Sequence, residues 1–164
     1  MHPDYLSFVQ PCPEYKPEFS NLNINWLCGF INADGHFSVR VVNSPKSKLG
    51  LGTNPLIKIS QHLNSFILME KIQAFLGCGK IYRDNQANNY EVQINSIKDI
   101  NSFIAQFKEA NLLGAKALDY QDFCKIIQIM NKRLHLTKDG LQEIQEIRSN
   151  MNNKRTIFKI EDEV

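Results

Sequence analysis

The sequence predicts an α+β domain in which helices cover one face of a four-stranded antiparallel sheet and leave a polar face open. Three observations lead there. The hydrophobic period switches from helical to alternating just after Asp34. Two hairpin-like pairs of alternating segments then follow, separated by one helical segment. All periodic segments after residue 96 are helical, so the order is helix, hairpin, helix, hairpin, helices. A chain of 164 residues with 43% hydrophobic content can bury one real core and is too short for two ordinary domains.

Residues 1–24 contain Pro3, Pro11, Pro13 and Pro17 without sustained periodicity, which predicts an extended arm or linker before a domain over residues 25–153. The apolar run from Trp26 to Ile31 predicts a short helix that buries almost every side chain and stops at Gly35 in a left-handed conformation. Gly29 and Ala33 lie four apart, so they share one helix face and allow a second backbone to come close. Asp34 ends that helix. Two such aspartates meeting at a helix pair would repel unless a cation lay between them.

From His36 the chain alternates, with Phe37, Val39 and Val41 on one side and His36, Ser38, Arg40 and Val42 on the other. Asn43 to Asn54 reads as a basic loop, and Leu56 to His62 as the returning strand. Asn64 can cap a helix from Phe66 to Leu76, closed by Gly77. Lys80 to Asp84 and Tyr90 to Asn95 form the second hairpin. Helical spacing resumes from Ile97 to Ala110, through Tyr120, Phe123, Ile126, Ile127 and Met130, and through Leu141, Ile144, Ile147 and Met151 with a cap at Thr137. Lys154, Arg155 and the acidic end read as a frayed tail over residues 154–164.

The net charge of +2 neither demands nor excludes a nucleic-acid partner, so the distribution of basic groups must decide. The four cysteines form no C-x-x-C pair and the four histidines show no zinc-hydrolase spacing, which removes the common zinc readings and fits a reducing compartment. No twenty-residue apolar span and no cleavable leader is seen, so a soluble chain without a membrane partner or targeting segment is expected.

Leu27-Cys28-Gly29-Phe30-Ile31-Asn32-Ala33-Asp34-Gly35 resembles, position by position, the nine-residue signature of the LAGLIDADG homing endonucleases. Cys28 replaces an alanine and Asn32 an acid; the later acidic position is Asp34. The resemblance extends over roughly residues 25–153 and implies the family's αββαββα half-unit with a saddle-like sheet. It implies a site-specific double-strand DNA endonuclease, intron-encoded and located in a mitochondrion or chloroplast, that leaves 3′ overhangs. A homodimer would cut a long, near-palindromic target, its motif helices meeting through Leu27, Gly29, Phe30 and Ala33.

By the same resemblance Asp34 and the carbonyl of Ala33 bind Mg2+, with Mn2+ substituting and Ca2+ supporting binding without efficient cleavage. Gln61 is implied to position solvent near the metal, and Lys116 to support the transition state or a water. The open sheet face supplies DNA contacts from Ser38, Arg40, Lys58, Ser60, Lys80, Tyr82, Glu91 and Gln93, with Arg83 if the register shifts by one. Rival readings stay open: a cleavage-deficient nucleic-acid-binding protein of this fold such as an intron maturase, one half of a two-motif endonuclease, and a structural or regulatory domain derived from the fold, against which the basic loop and donor-rich face argue.

Overall fold

A computed structural model describes residues 22–109 and 111–155. Along the chain run α1 (Ile24–Asp34), β1 (Gly35–Asn43), β2 (Leu51–His62), α2 (Phe66–Leu76), β3 (Lys80–Asp84), β4 (Asn89–Ile94), α3 (Ile97–Gln106), α4 (Gly114–Asn131) and α5 (Lys138–Ser149). Single 3-10 turns at Leu63–Ser65, Leu134–Leu136 and Asn152–Lys154 complete the path. The four strands form one antiparallel sheet in the order β1-β2-β4-β3, so β1 and β3 are its edges.

The alternation expected from the sequence decides which side is covered. Phe37, Val39, Ile57, Ile59, Val92 and Ile94 all point into the helix layer and are buried. Phe37 lies at the centre, 5.1 Å from the ring of Tyr120, 5.7 Å from Phe123 and 6.3 Å from Phe103. Met69, Ile72 and Leu76 bring α2 into the same core, as Ile100 and Phe103 do for α3 and Ile144 for α5.

Several expectations need correction. α1 does not bury almost every side chain: Leu27, Cys28 and Ile31 are buried, while Trp26, Gly29, Ala33 and Asp34 are exposed. Gly35 follows α1 with φ −84° and ψ 152°, which is extended and not left-handed. Its glycine is required by close approach, because a Cβ there would lie 2.5 Å from the carbonyl oxygen of Ile31. Gly77 does take the left-handed conformation, at φ 64°, and closes α2 as expected. The N-cap position of α2 is Ser65, while Asn64 sits in the preceding 3-10 turn.

The basic loop is shorter than expected, because β1 runs to Asn43 and β2 begins at Leu51. Gly52 and Pro55 concealed this extension. Pro55 is tolerated because β2 pairs with β4 only from Ile57 onward, so no ladder partner on that side waits for its missing N–H. Thr137 caps α5 by accepting from the Gly140 N–H, as expected.

Residue 155 is no frayed end. Arg155 donates from Nη2 to Asp119 and to Asp122, each at 2.8 Å, two carboxylates one turn apart on α4. The arm expected over residues 1–24 lies outside the described residues up to residue 21, as does the tail from residue 156.

Candidate active site and nucleic-acid interface

Asp34 is the last residue of α1, and that position is electrostatically unusual. The C-terminal end of a helix carries partial negative charge from carbonyls no helical N–H reaches, and cations are favoured there. α1 has no basic residue in its last turn and instead ends in a carboxylate. Positive charge arrives from a distant part of the chain: Lys116, in the first turn of α4, donates its Nζ to the Gly35 carbonyl oxygen. Gln61, near the end of β2, donates from Nε2 to Asp34 Oδ2 at 3.2 Å. Its amide is oriented at the other end too, since Oε1 accepts the His62 N–H at 2.9 Å.

Asp34, Gln61 and Lys116 are therefore brought to one end of the molecule. Asp34 and Gln61 also line an open cleft of about 280 Å³ with Ser60, His62, Ala87, Asn88 and Asn89. Among the described residues no group of three or more His, Cys, Asp or Glu side chains gathers to hold a metal ion. The donor chemistry nevertheless suits a hard cation. One exposed carboxylate, the Ala33 carbonyl in the last turn and room for water or phosphate oxygens are what magnesium takes from a protein.

Asn32, a departure from the family pattern, has a structural role that its position in the signature does not disclose. Its Oδ1 accepts the Leu113 N–H at 3.0 Å, which fastens the start of α4 to the end of α1. The same end of α4 carries Lys116, which reaches the carbonyl of Gly35, the residue after Asp34. Asn32 and Leu113 lie 81 positions apart, and no local pattern could have paired them.

The open sheet face is built from the alternate residues. Register places His36 beside Lys58, Lys58 beside Gln93 and Gln93 beside Lys80, one row across all four strands. The next row holds Ser60, Glu91 and Tyr82. On the β1 side Ser38 stands beside Leu56 and Arg40 beside Asn54. Arg83 pairs with Tyr90, so it belongs to the opposite face, and the one-residue register shift does not occur.

Glu91 behaves differently from the expectation that it would offer a free acceptor. It is 5% exposed. Oε1 accepts from Lys58 Nζ at 2.8 Å and Oε2 from Gln93 Nε2 at 2.7 Å, so both oxygens are engaged. Glu91 holds its two neighbours in place, and they are the groups turned outward. His36 belongs to this face as well, although it is not among the expected contacts. Burial, and then the positive charges of Lys116 and Lys58, push its imidazole below the ordinary value.

The exposed side of α1 carries apolar and small residues. Trp26 is 40% exposed and stacks on Phe30, with ring centroids 5.0 Å apart. Beside this pair a Cβ added at Gly29 would meet nothing within 4 Å. Leu27, expected on this surface, is 1% exposed and packs into the chain's own core. The face is instead Trp26, Gly29, Phe30 and Ala33, spaced at three and four residues.

The family model described as LAGLIDADG endonuclease matches residues 27–127. The probable intron-encoded endonuclease 3 of Neurospora crassa is 38% identical over 120 residues, 73% of this chain and 22% of that protein. An uncharacterised cox1 intron-2 37.2 kDa protein of Schizosaccharomyces pombe is 29% identical over 88% of this chain and 43% of its own length. This chain thus spans less than half of each of these relatives.

Among solved structures, the I-LtrWI LAGLIDADG homing endonuclease bound to target DNA superposes with a TM-score of 0.82 at 41% identity, covering 87% of this chain and 49% of that one. The homing endonuclease I-TnaI superposes with a TM-score of 0.77 at 30% identity, covering 80% of this chain and 89% of that one.

Proposed function

This chain belongs to the LAGLIDADG endonuclease family, and from that premise we propose that it is a site-specific, metal-dependent DNA endonuclease acting as a homodimer. The observation that carries the reading is the convergence of Asp34, Gln61 and Lys116 at the end of an open, donor-rich sheet face. Asp34 and the Ala33 carbonyl would hold a magnesium ion, which when bound would supply an activated water and counter-charge for the scissile phosphate. Gln61, already oriented toward Asp34, positions solvent beside that carboxylate. Lys116, at the Gly35 carbonyl, brings a cation to the same end of the face, where negative charge grows on the phosphate. DNA lies on the open face, with Ser38, Arg40, Lys58, Lys80, Tyr82 and Gln93 directed to base edges and phosphates, and Ser60 near the cleft.

A single copy brings one Asp34, and cutting two strands needs two. The apolar face of α1 gives a place for the second copy to dock, with Gly29 and Ala33 letting the helices approach closely. Two-fold symmetry then calls for a near-palindromic target with half-sites about one helical turn long, roughly 10 bp. Staggered ends with 3′ overhangs, and an organellar location like that of cox1 and other intron-encoded relatives, belong to the same reading.

The match to about half of I-LtrWI favours a second arrangement, in which this unit is one half of a longer two-unit protein with an asymmetric target. Light scattering on the unsubstituted chain separates the two, a dimer supporting the first and a monomer the second, and Gly29→Leu then tests the interface. In a homodimer it leaves the chain folded, because the site is open in the single copy, and light scattering reads a monomer. A tight dimer in that variant would remove α1 from the interface. For the activity itself, incubation with a plasmid library and magnesium, followed by sequencing of the ends, should return one long site. Specific binding without cut ends would instead indicate the cleavage-deficient, maturase-like reading.

A further inference from the structure

The open sheet face does not end at β1. β1 is an edge strand, and along its free side the 3-10 turn Asn152–Lys154 forms the far wall of a groove. This groove has a volume of about 260 Å³ and is lined by His36, Ser38 and Arg40 from β1, facing Arg148, Asn153 and Lys154. Among the described residues no carboxylate pairs with Arg40, Arg148 or Lys154, and no acidic side chain lines the groove. Three cations with no carboxylate partner among the described residues thus face one groove beside the sheet face, whose floor is Val39 and Met151.

The turn that carries Lys154 is fixed from two sides. Asn152 donates its backbone N–H to Asp119 Oδ1 at 2.9 Å and its side-chain Nδ2 to the Phe37 carbonyl at 3.0 Å. Arg155 holds Asp119 and Asp122 just beyond it, and Met151 is buried just before it. Asn152 adopts a left-handed φ of 57°, a conformation Asn tolerates better than most residues and which sets the direction of the turn. Bonds at Asp119 therefore hold the backbone that presents an exposed lysine at the edge of the sheet.

We propose that this groove seats a backbone phosphate of the DNA lying on the sheet, with Arg148 and Lys154 as sequence-independent contacts beside the base-reading Arg40. The proposal rests on the DNA-binding reading above. Such contacts fix orientation and carry no sequence information, and each adds to the release of condensed counterions.

The test uses the full 164-residue chain and a random-sequence duplex of roughly 30 bp, or three helical turns, titrated by fluorescence anisotropy at several NaCl concentrations. Arg148→Ala and Lys154→Ala should each flatten the slope of log affinity against log salt by about 0.9. Over 50 to 200 mM salt that is about a 3.5-fold smaller loss of affinity for each contact removed. Lys71→Ala, on the exposed side of α2 away from the sheet, should leave the slope unchanged. The site recovered from the plasmid library should stay the same in both groove variants.

Unchanged slopes in both groove variants, or an equal flattening in the Lys71 variant, overturn the groove while leaving the endonuclease reading intact. A changed target sequence would also overturn it, because it would mean base contact. Failure of the unsubstituted chain to bind any duplex would defeat the DNA-binding reading on which the groove depends.

Discussion

The two faces of the sheet come from the same strands, yet they are governed by different constraints. On the covered face Phe37, Ile57, Ile59 and Val92 are fully buried against the helix layer. Their contribution comes from apolar area removed from water, about 1.5–3 kcal/mol for each side chain. On the open face the residues between them, the buried Glu91 apart, are mostly basic, amide or hydroxyl groups whose stability contribution is small and whose value lies in what they can donate. The difference teaches that period two lets one strand carry stability on one set of residues and recognition on the other. A substitution should move one property and spare the other.

The largest expected break is on the covered side. Phe37→Ala removes the ring at the centre of the aromatic cluster and should cost about 3–5 kcal/mol of stability. Chemical denaturation reads it. A loss under about 1 kcal/mol would mean the cluster is not the core it resembles.

Glu91 sharpens the comparison because it is the one open-face residue in the β2-β4-β3 rows that is buried. Glu91→Gln removes the charge to which Lys58 and Gln93 donate and should cost about 1–3 kcal/mol. It should also alter the target preference, since both outward groups lose their anchor. A variant that destabilises the fold while leaving the target unchanged would assign Glu91 to structure alone.

Arg40→Ala should have the smallest effect on stability, within about 0.5 kcal/mol, because the side chain is exposed. It should relax the preference at one base pair per half-site by about 1–3 kcal/mol. Sequencing cut ends from a randomised target reads that shift. An unchanged preference would move Arg40 from base reading to phosphate contact.

Alternation along the chain makes most of this fold legible in its sequence. Strand residues, the sheet's covered side, the Gly77 stop and the Thr137 cap all follow from patterns within a few positions. The features that escape such patterns are set by contacts between distant segments. α1 is apolar nearly all round, so periodicity could not say that Leu27 faces the core and Trp26 faces outward. Gly52 and Pro55 read as loop residues until the pairing of β2 explains how a proline fits there.

The candidate site is legible only through the nine-residue signature. Gln61 reaches Asp34 across 27 positions, and Lys116 reaches Gly35 across 81. Composition and spacing alone would leave each as an ordinary surface residue. Arg155 and Asp119 show the same limit, since charges near a chain end give no hint of a buried partner 36 positions away.

The central claim is that Asp34 is a metal ligand for DNA cleavage at the end of this face. Asp34→Asn keeps the side chain's size, and Asp34 is exposed, so folding should persist. With the recovered target as substrate and magnesium present, the variant should bind as tightly as the unsubstituted chain and yield no cut product. Magnesium-dependent cutting at an undiminished rate in the variant would contradict the account.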